Sequence, residues 1–402
     1  MSSSKLRAAA SSSGVLIADA LYEILLRVPA KDLCRSRAVC RAWCALTSDP
    51  LFAAAHKSHQ KAPLLALAYR STSNKKESGV DIVDLSGNIL RRIPSIEDDI
   101  DPPNQCLSVL VSCVDIVIRV LPTRLDLICF TRDFHSLGLW VLNPATGATI
   151  ALPECRSEEF AGELHLGYDI KVESHALGRV SSTGEYKVLR VSRLCRYGRQ
   201  VCEVITLDGI NHGRWRRKQS PQSPIGTSRE MRSVTVDGVV YFLIDFVTSF
   251  FRSGLIDVEP ACIASFNLET EEGMGTIRGP ASVLKFIQDS EQLSYMQLHM
   301  QLSLAEMDGC IVTVHNAHYG SMDLWFLTDI ENDIWVKKYI MPLQDPGVFV
   351  HPFLVLDDGR ILLRHGLRSL KYYDPRTGTY ADALEVRDSR SIAIYTGNLL
   401  SL

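Results

Sequence analysis

Five residues near the N-terminus carry the side chains of a zinc site: Cys34, Cys40, Cys44, His56 and His59. Zinc modules pair their ligands as C-x2–4-C and H-x3–5-H, so that each pair chelates from one short turn. Cys40 and Cys44 meet the first spacing, but His56 and His59 have only two residues between them and Cys34 has no mate. Buried thiols acting as small apolar side chains are the better reading. Gly273-Met274-Gly275 with Gly279 follows a β-rich run, as a phosphate-cradling loop would, yet the spacing is G-x-G-x-x-x-G and Pro280 stands where a helix should open. The acidic pairs Asp98/Asp99 and Glu271/Glu272 are sequence neighbours, which in extended chain point to opposite sides and cannot converge as catalytic carboxylates. His165, His175, His315, His318 and His351 are scattered, and no G-x-S-x-G, H-E-x-x-H or P-loop occurs. Between Lys187 and Lys218 lie Arg190, Arg193, Arg196, Arg199, Arg214, Arg216 and Arg217 around Trp215. Such a segment suits an acidic protein surface or, less well, a nucleic acid. An ordinary solvated face fits it too, and Trp215 falls where a strand would bury it.

Composition narrows the classes. The chain has 402 residues, 46% hydrophobic and 22% charged, which describes a folded soluble protein longer than one ordinary domain. Its most apolar windows, near 107–121 and 239–251, are interrupted by Asp115, Arg119 and Asp245, short of the roughly 18 uncharged residues of a membrane span. A net charge of −3 argues against a protein that holds nucleic acid by counterion release. Eleven cysteines with no C-x-x-C and no secretory signal read as reduced thiols, which places the chain in the cytoplasm or nucleus. Residues 1–15 are Ser/Ala-rich with Lys5 and Arg7 and no acid, traits shared with organelle transit peptides. An unordered tail is the simpler reading.

The chain divides into two regimes. From Asp19 to Gln60 the period is helical: Leu21, Ile24, Leu25 and Val28 form one apolar stripe, Pro29 ends that helix, Asp32 is placed to cap a second beginning at Leu33, and Asp49-Pro50 breaks the chain before Leu51–His56. Three or four short helices in such a stretch bury too little to stand alone, so the module needs a partner. After Pro63 the period becomes 2. Strands are expected at Val109–Val120, Leu139–Leu142, Lys187–Val191, Val201–Leu207, Ser233–Leu243, Ile263–Leu268, Leu324–Leu327, Trp335–Ile340, Phe353–Leu356, Ile361–Leu363 and Leu370–Tyr373, with one short helix at Ala281–Ile287. A strand ending in a polar turn recurs at Asp84-Leu85-Ser86-Gly87, Asn143-Pro144-Ala145-Thr146-Gly147, Asp208-Gly209, Asn267-Leu268-Glu269-Thr270, Asp329-Ile330-Glu331-Asn332 and Asp374-Pro375-Arg376-Thr377-Gly378, roughly every 60 residues. Asp-Gly hairpins at Asp237-Gly238, Asp308-Gly309 and Asp358-Gly359 precede several of these. Each unit thus has about four strands, and six such units arranged radially make a β-propeller. The run Ser391–Tyr395 has no partner of its own and is placed to close the ring against Leu64–Tyr69.

The stretch Leu21-Tyr22-Glu23-Ile24-Leu25-Leu26-Arg27-Val28-Pro29-Ala30-Lys31-Asp32-Leu33, with Arg37-Ala38-Val39-Cys40-Arg41-Ala42-Trp43 and Ser48-Asp49-Pro50-Leu51-Phe52, closely resembles the F-box of plant F-box proteins. Ile17 after Leu16 departs from the family's opening Leu-Pro: it keeps the apolar surface and loses the proline's helix start. Asn143-Pro144-Ala145-Thr146-Gly147, Val236-Asp237-Gly238-Val239-Val240-Tyr241, Ile263–Glu271, Leu324-Trp325-Phe326-Leu327 with Trp335-Val336-Lys337, and Tyr373–Gly378 resemble the F-box-associated, Kelch-like domain, in the expected order. The resemblance implies a multidomain α plus all-β chain: a tail at 1–15, a short helical F-box at 16–60 and a propeller at 61–402. It implies a non-catalytic subunit of an SCF (Skp-cullin-F-box) ubiquitin ligase, without cofactor or metal, docked on a Skp-type adaptor and through it on cullin. Its propeller would hold a target protein for ubiquitination. The implied adaptor contacts are Leu16, Ile17, Leu21, Ile24, Leu25, Val28, Pro29, Leu33, Val39 and Trp43, with Trp43 a hot spot. No membrane or nucleic-acid partner is expected. A scaffold working outside the ligase, or a propeller enzyme or small-ligand sensor with groups converging in the channel, are the other readings. The target stays unnamed, because propeller loops carry no general code.

Overall fold

The computed structural model describes residues 18–400 except 29, 60–62, 71–77, 95–117, 133–137, 159–169, 195–198, 208–212, 222, 224, 226–232, 245–260, 290–300, 318–319, 346–347, 367 and 387–391. The expected tail, together with Leu16, Ile17 and Pro29, lies outside these residues. Four short helices open the described chain: α1 (Ala18–Leu26), α2 (Ala30–Ser36), α3 (Arg41–Thr47) and α4 (Pro50–His59). Pro50 takes the first position of α4, where a missing N–H costs nothing, and Asp49 Oδ1 accepts the Leu51 N–H at 2.8 Å. One expectation is corrected. The second helix begins at Ala30 rather than Leu33, so Asp32 sits inside its first turn, paired with Arg35 at 3.2 Å, and is not its cap. An acid there still favours the helix's positive end.

Six four-stranded blades succeed the helices. Blade 1 contains β1 (Leu64–Arg70), β2 (Ser78–Val83) and β3 (Ile89–Pro94). Blade 2 contains β4 (Ile118–Val120), β6 (Ile128–Arg132), β7 (Leu139–Leu142) and β8 (Thr149–Ala151), with the two-residue β5 (Arg124–Leu125) between its first members. Blade 3 is β9 (Ile170–Arg179), β10 (Tyr186–Leu194), β11 (Arg199–Leu207) and β12 (Arg216–Lys218). Blade 4 is β13 (Ser233–Val236), β14 (Val239–Leu243), β15 (Ile263–Asn267) and β16 (Glu272–Ile277), after which comes α5 (Ala281–Asp289). Blade 5 is β17 (Leu302–Met307), β18 (Cys310–Ala317), β19 (Ser321–Asp329) and β20 (Ile334–Pro342), and blade 6 is β21 (Val350–Val355), β22 (Ile361–His365), β23 (Ser369–Asp374) and β24 (Thr379–Glu385). The C-terminal β25 (Ile392–Tyr395) completes blade 1 from inside, antiparallel to β1 in the register Leu64↔Tyr395 to Leu67↔Ile392, as expected. It also pairs in parallel with β5.

The recurring polar turn is the link between the third and fourth strands of a blade, and its chemistry explains the repeat. In blades 1, 2, 4, 5 and 6 the leading Asp84, Asn143, Asn267, Asp329 or Asp374 turns its Oδ1 back to accept the N–H two residues on, at 2.7–3.0 Å. The corresponding turn of blade 3 lies outside the described residues. The Asp-Gly pairs link first and second strands. Asp237 and Gly238, like Asp308 and Gly309, all have positive φ, the backbone of a type I′ turn that only such residues adopt cheaply.

Because blades face blades on both sides, successive side chains enter different cores. On β1, Leu65 and Leu67 join the core shared with blade 6, while Leu64, Ala66 and Ala68 join the core shared with blade 2. That second core continues upward into the helices. Leu25, Leu26, Leu33 and Phe52 belong to the same apolar cluster, bridged by Leu399 and Leu400 beyond β25. Asn398 ties the tail to α4 by donating from Nδ2 to Ala53 O at 2.8 Å. The helical module therefore finds its missing core within the chain.

Two buried polar clusters fasten blade 3. Arg190 on β10 donates from Nε to Glu203 Oε2 on β11 at 3.0 Å and from Nη2 to Cys155 O at 3.1 Å, with its guanidinium 4.0 Å from the Trp215 ring. Glu203 Oε1 accepts the Ser157 N–H at 2.8 Å, and Trp215 donates from Nε1 to Pro153 O at 2.7 Å, so the 153–157 loop is clamped onto this blade. At the other cluster Lys187, Arg216 and Lys218 all reach Glu271, on the β15–β16 turn, at 2.5–2.9 Å. Burial alone would raise the Glu271 carboxyl, but hydrogen bonds from Arg216, Lys218 and Lys187 override it and hold the pKa at about 2.

These contacts set three expectations for stability. Leu400→Ala should cost about 2–4 kcal/mol in chemical denaturation, the range for a buried leucine truncated in a packed core. Glu203→Ala should cost about 3–5 kcal/mol by stranding Arg190, whereas Glu203→Leu combined with Arg190→Met should recover much of that loss. Since the Glu271 carboxyl is depressed on folding, its contribution is complete above the ordinary carboxylate value of 4.5 and disappears as the pH falls toward about 2. Glu271→Gln should flatten the stability profile across that window.

Candidate functional site

Helix periodicity gives α1–α4 two kinds of apolar residue. Leu25, Leu33 and Phe52 are buried in the cluster shared with blade 1, while Leu21, Tyr22, Val28 and Trp43 are half-buried against its edge. Around this core Tyr22 and Phe52 meet edge to face at 5.3 Å, and His56 Nε2 lies 2.8 Å from Val28 O. Three large apolar side chains point to solvent instead: Ile24 is 48% exposed, Val39 65% and Leu51 78%. Val39 is held there by its turn. Ala38 and Val39 donate backbone N–H groups to Arg35 O and Ser36 O, and Arg37 Nη2 donates to Thr47 O at 2.9 Å, pinning the loop to α3.

Of the ten residues assigned by resemblance to a partner, Ile24 and Val39 thus present surface, and Leu21, Val28 and Trp43 present edges. Leu25 and Leu33 are spent on the chain's own core and have no surface to offer in this structure. Leu16, Ile17 and Pro29 lie outside the described residues. Leu51 was missed. It stands at the start of α4, in the Ser48-Asp49-Pro50-Leu51-Phe52 segment that carries part of the F-box resemblance.

The thiol reading needs correction. Cys40 and Cys44 are exposed, because α3 turns Trp43, Leu46 and Thr47 inward, while Cys34 on α2 is half-buried against the helical core. His56 faces Val28 O and Phe52, His59 Nδ1 donates to Ala55 O, and no three potential ligands gather among the described residues. The Gly273/Gly275 pair lies within β16 rather than in a loop before a helix. A Cβ on Gly273 would come within 3.0 Å of Pro221, which accounts for one glycine by close approach.

Much of the basic segment is spent internally, with Arg190, Lys187, Arg216 and Lys218 committed to Glu203 and Glu271, and Arg214 paired at the surface with Glu158. Trp215 is buried. In the central channel, lined by β5, β13, β17, β21 and β25, Arg124 meets Glu306 at 2.7 Å and donates to Phe353 O at 3.2 Å. Burial pushes the Glu306 carboxyl up against the pull of Arg124, and drives His351 down to about 3, so that imidazole is neutral beside Ser303 Oγ at 3.2 Å. His175 is half-buried and desolvation likewise holds it at about 3, His315 is on β18, and His165 and His318 lie outside the described residues. Among the described residues lining the channel, Glu306 is the carboxylate, ion-paired with Arg124, and His351 is the imidazole, held neutral.

Comparison with known proteins matches this division. Residues 18–55 match an F-box-like family model, and residues 110–351 match the model of the F-box associated beta propeller domain. F-box protein At3g07870 of Arabidopsis thaliana is 22% identical over 91% of this chain and 86% of its own length. F-box/kelch-repeat protein At3g23880 of the same plant is 24% identical over 95% and 94%. Among solved structures, an oligogalacturonate lyase of Vibrio parahaemolyticus aligns with a TM-score of 0.40 at 10% identity over 81% of this chain and 80% of that one, too distant to bear on function. The two matches, in this order and over the helices and the six-bladed ring just described, make the chain a member of the F-box proteins with an F-box-associated β-propeller domain.

Proposed function

We propose that this protein is the substrate-recognition subunit of an SCF ubiquitin ligase, with residues 16–60 docking on a Skp-type adaptor, and through it on cullin, and residues 61–402 receiving a target protein. The observation that carries the reading is the exposure of Ile24, Val39 and Leu51 on a module whose own core is already complete. Apolar groups left outside the core of these helices are free for a partner to cover. The F-box-like match over the same helices supports a Skp-type partner. In this role the chain performs no chemistry. It raises the effective concentration of a target near a ubiquitin-loaded partner. Free thiols, both exposed and buried, suit a reducing cytoplasm or nucleus as its place of work.

Binding of the full chain to a purified Skp-type adaptor tests the reading. Wild type should bind, and Ile24→Asp or Val39→Asp should weaken binding at least about thirtyfold, as loss of an interface anchor does. Thermal stability should stay near wild type in both, since neither side chain is buried. Wild-type protein that fails to bind, or variants that bind equally well, would sink the proposal.

A further inference from the structure

A cavity of about 420 Å³ opens beside the channel between blades 1 and 6. Pro63, Leu85, Leu354, Leu356 and Ile394 form its apolar walls, and Arg124, Asp357, Asp358 and Thr396 bring polar groups to it. Pro63 leads from α4 into β1, and Thr396 leads from β25 toward the tail that holds α4, so the cavity is on the end of the ring that carries the helices.

Its charges are unequal. Arg124 is spent on Glu306 and Phe353 O. Asp358 is paired with Arg360 at 2.7 Å, and that guanidinium also lies 4.6 Å from the Tyr372 ring. Asp357, exposed beside it at the tip of the β21–β22 hairpin, has no counter-ion among the described residues. An incoming anion would meet an uncompensated carboxylate and a guanidinium already satisfied. An incoming cation would gain a charge partner at the rim, and the alkyl stem of a lysine or arginine could lie along the leucine wall with its head at Asp357. The volume is within the range of sites that enclose a ligand group, and apolar walls with few polar groups are the usual makeup of such sites.

We propose that the cleft between blades 1 and 6 is a target-recognition subsite that takes an apolar side chain flanked by a lysine or arginine. The assignment rests on the receptor reading and gives that target a chemistry. It also holds the target on the adaptor's side of the ring.

An array of immobilised peptides with a fixed Gly/Ser background, carrying every pair of adjacent residues, tests it when probed with the full chain bound to its adaptor. Peptides pairing Leu, Ile, Phe or Met with Lys or Arg should be retained about fivefold more than those pairing the same residues with Asp or Glu. Asp357→Lys, at an exposed hairpin tip where the fold does not depend on it, should invert that preference, and Leu85→Asp should lower retention of both sets. A blank array, a different preference, or a preference that Asp357→Lys leaves unchanged overturns the subsite. Adaptor binding, measured on the same preparations, reports separately on the receptor reading.

Discussion

The antiparallel pairing of Ile392–Tyr395 with Leu64–Leu67 joins the first and last strands of the ring in sequence order, and the remaining elements are arranged around that seam. An open ring would leave the inner edge of β1 with unpaired backbone groups and an apolar face, the usual route to misassembly. Closing it costs the entropy of bringing distant segments together, a cost that rises only slowly with the length between them. The residues beyond β25 give the seam a second role. Leu399 and Leu400 enter the cluster that holds Leu25, Leu33 and Phe52, and Asn398 bonds to α4, so ring closure and the seating of the helices are one packing event.

This coupling changes what the helical face means. A module too small to fold alone would be expected to use its whole apolar stripe on a partner. Here blade 1 and the tail take Leu25 and Leu33, and the set that remains outward is smaller, Ile24, Val39 and Leu51. The proposed docking surface therefore belongs to a module whose core is already formed, which saves part of the ordering cost of association. The same economy governs charge. Most of the paired cations of the basic segment are fastened to Glu203 and Glu271 inside or between blades, which removes them as an electrostatic footprint.

Much of the architecture was legible in the residues because its determinants are local. The turns led by Asp84, Asn143, Asn267, Asp329 and Asp374 repeat because one side-chain oxygen closes each of them, and the Asp-Gly hairpins repeat because positive φ is needed at both positions of two of them. The ring closure was legible too, since Ile392–Tyr395 is an apolar run left without a neighbour. Less could be read where the deciding contact is distant. Periodicity marks Leu21, Ile24, Leu25 and Val28 as one stripe but does not say whether blade 1 or a partner covers each side chain. Cys40 and Cys44 look like core residues until α3 is seen to turn Trp43 inward. The cavity beside the channel joins Leu85 to Leu356 and Ile394, and no local pattern announces that meeting.

The most direct test of this account is hydrogen exchange on the full chain with and without a purified Skp-type adaptor. Amides around Ile24, the turn at Val39 and the start of α4 at Leu51 should slow on binding, while β1, β25 and the blade cores, already paired, should not change. Protection confined to the propeller, or its absence from the helices under conditions where the two proteins associate, would contradict the claim that a module completed within the chain offers its remaining apolar face to the adaptor.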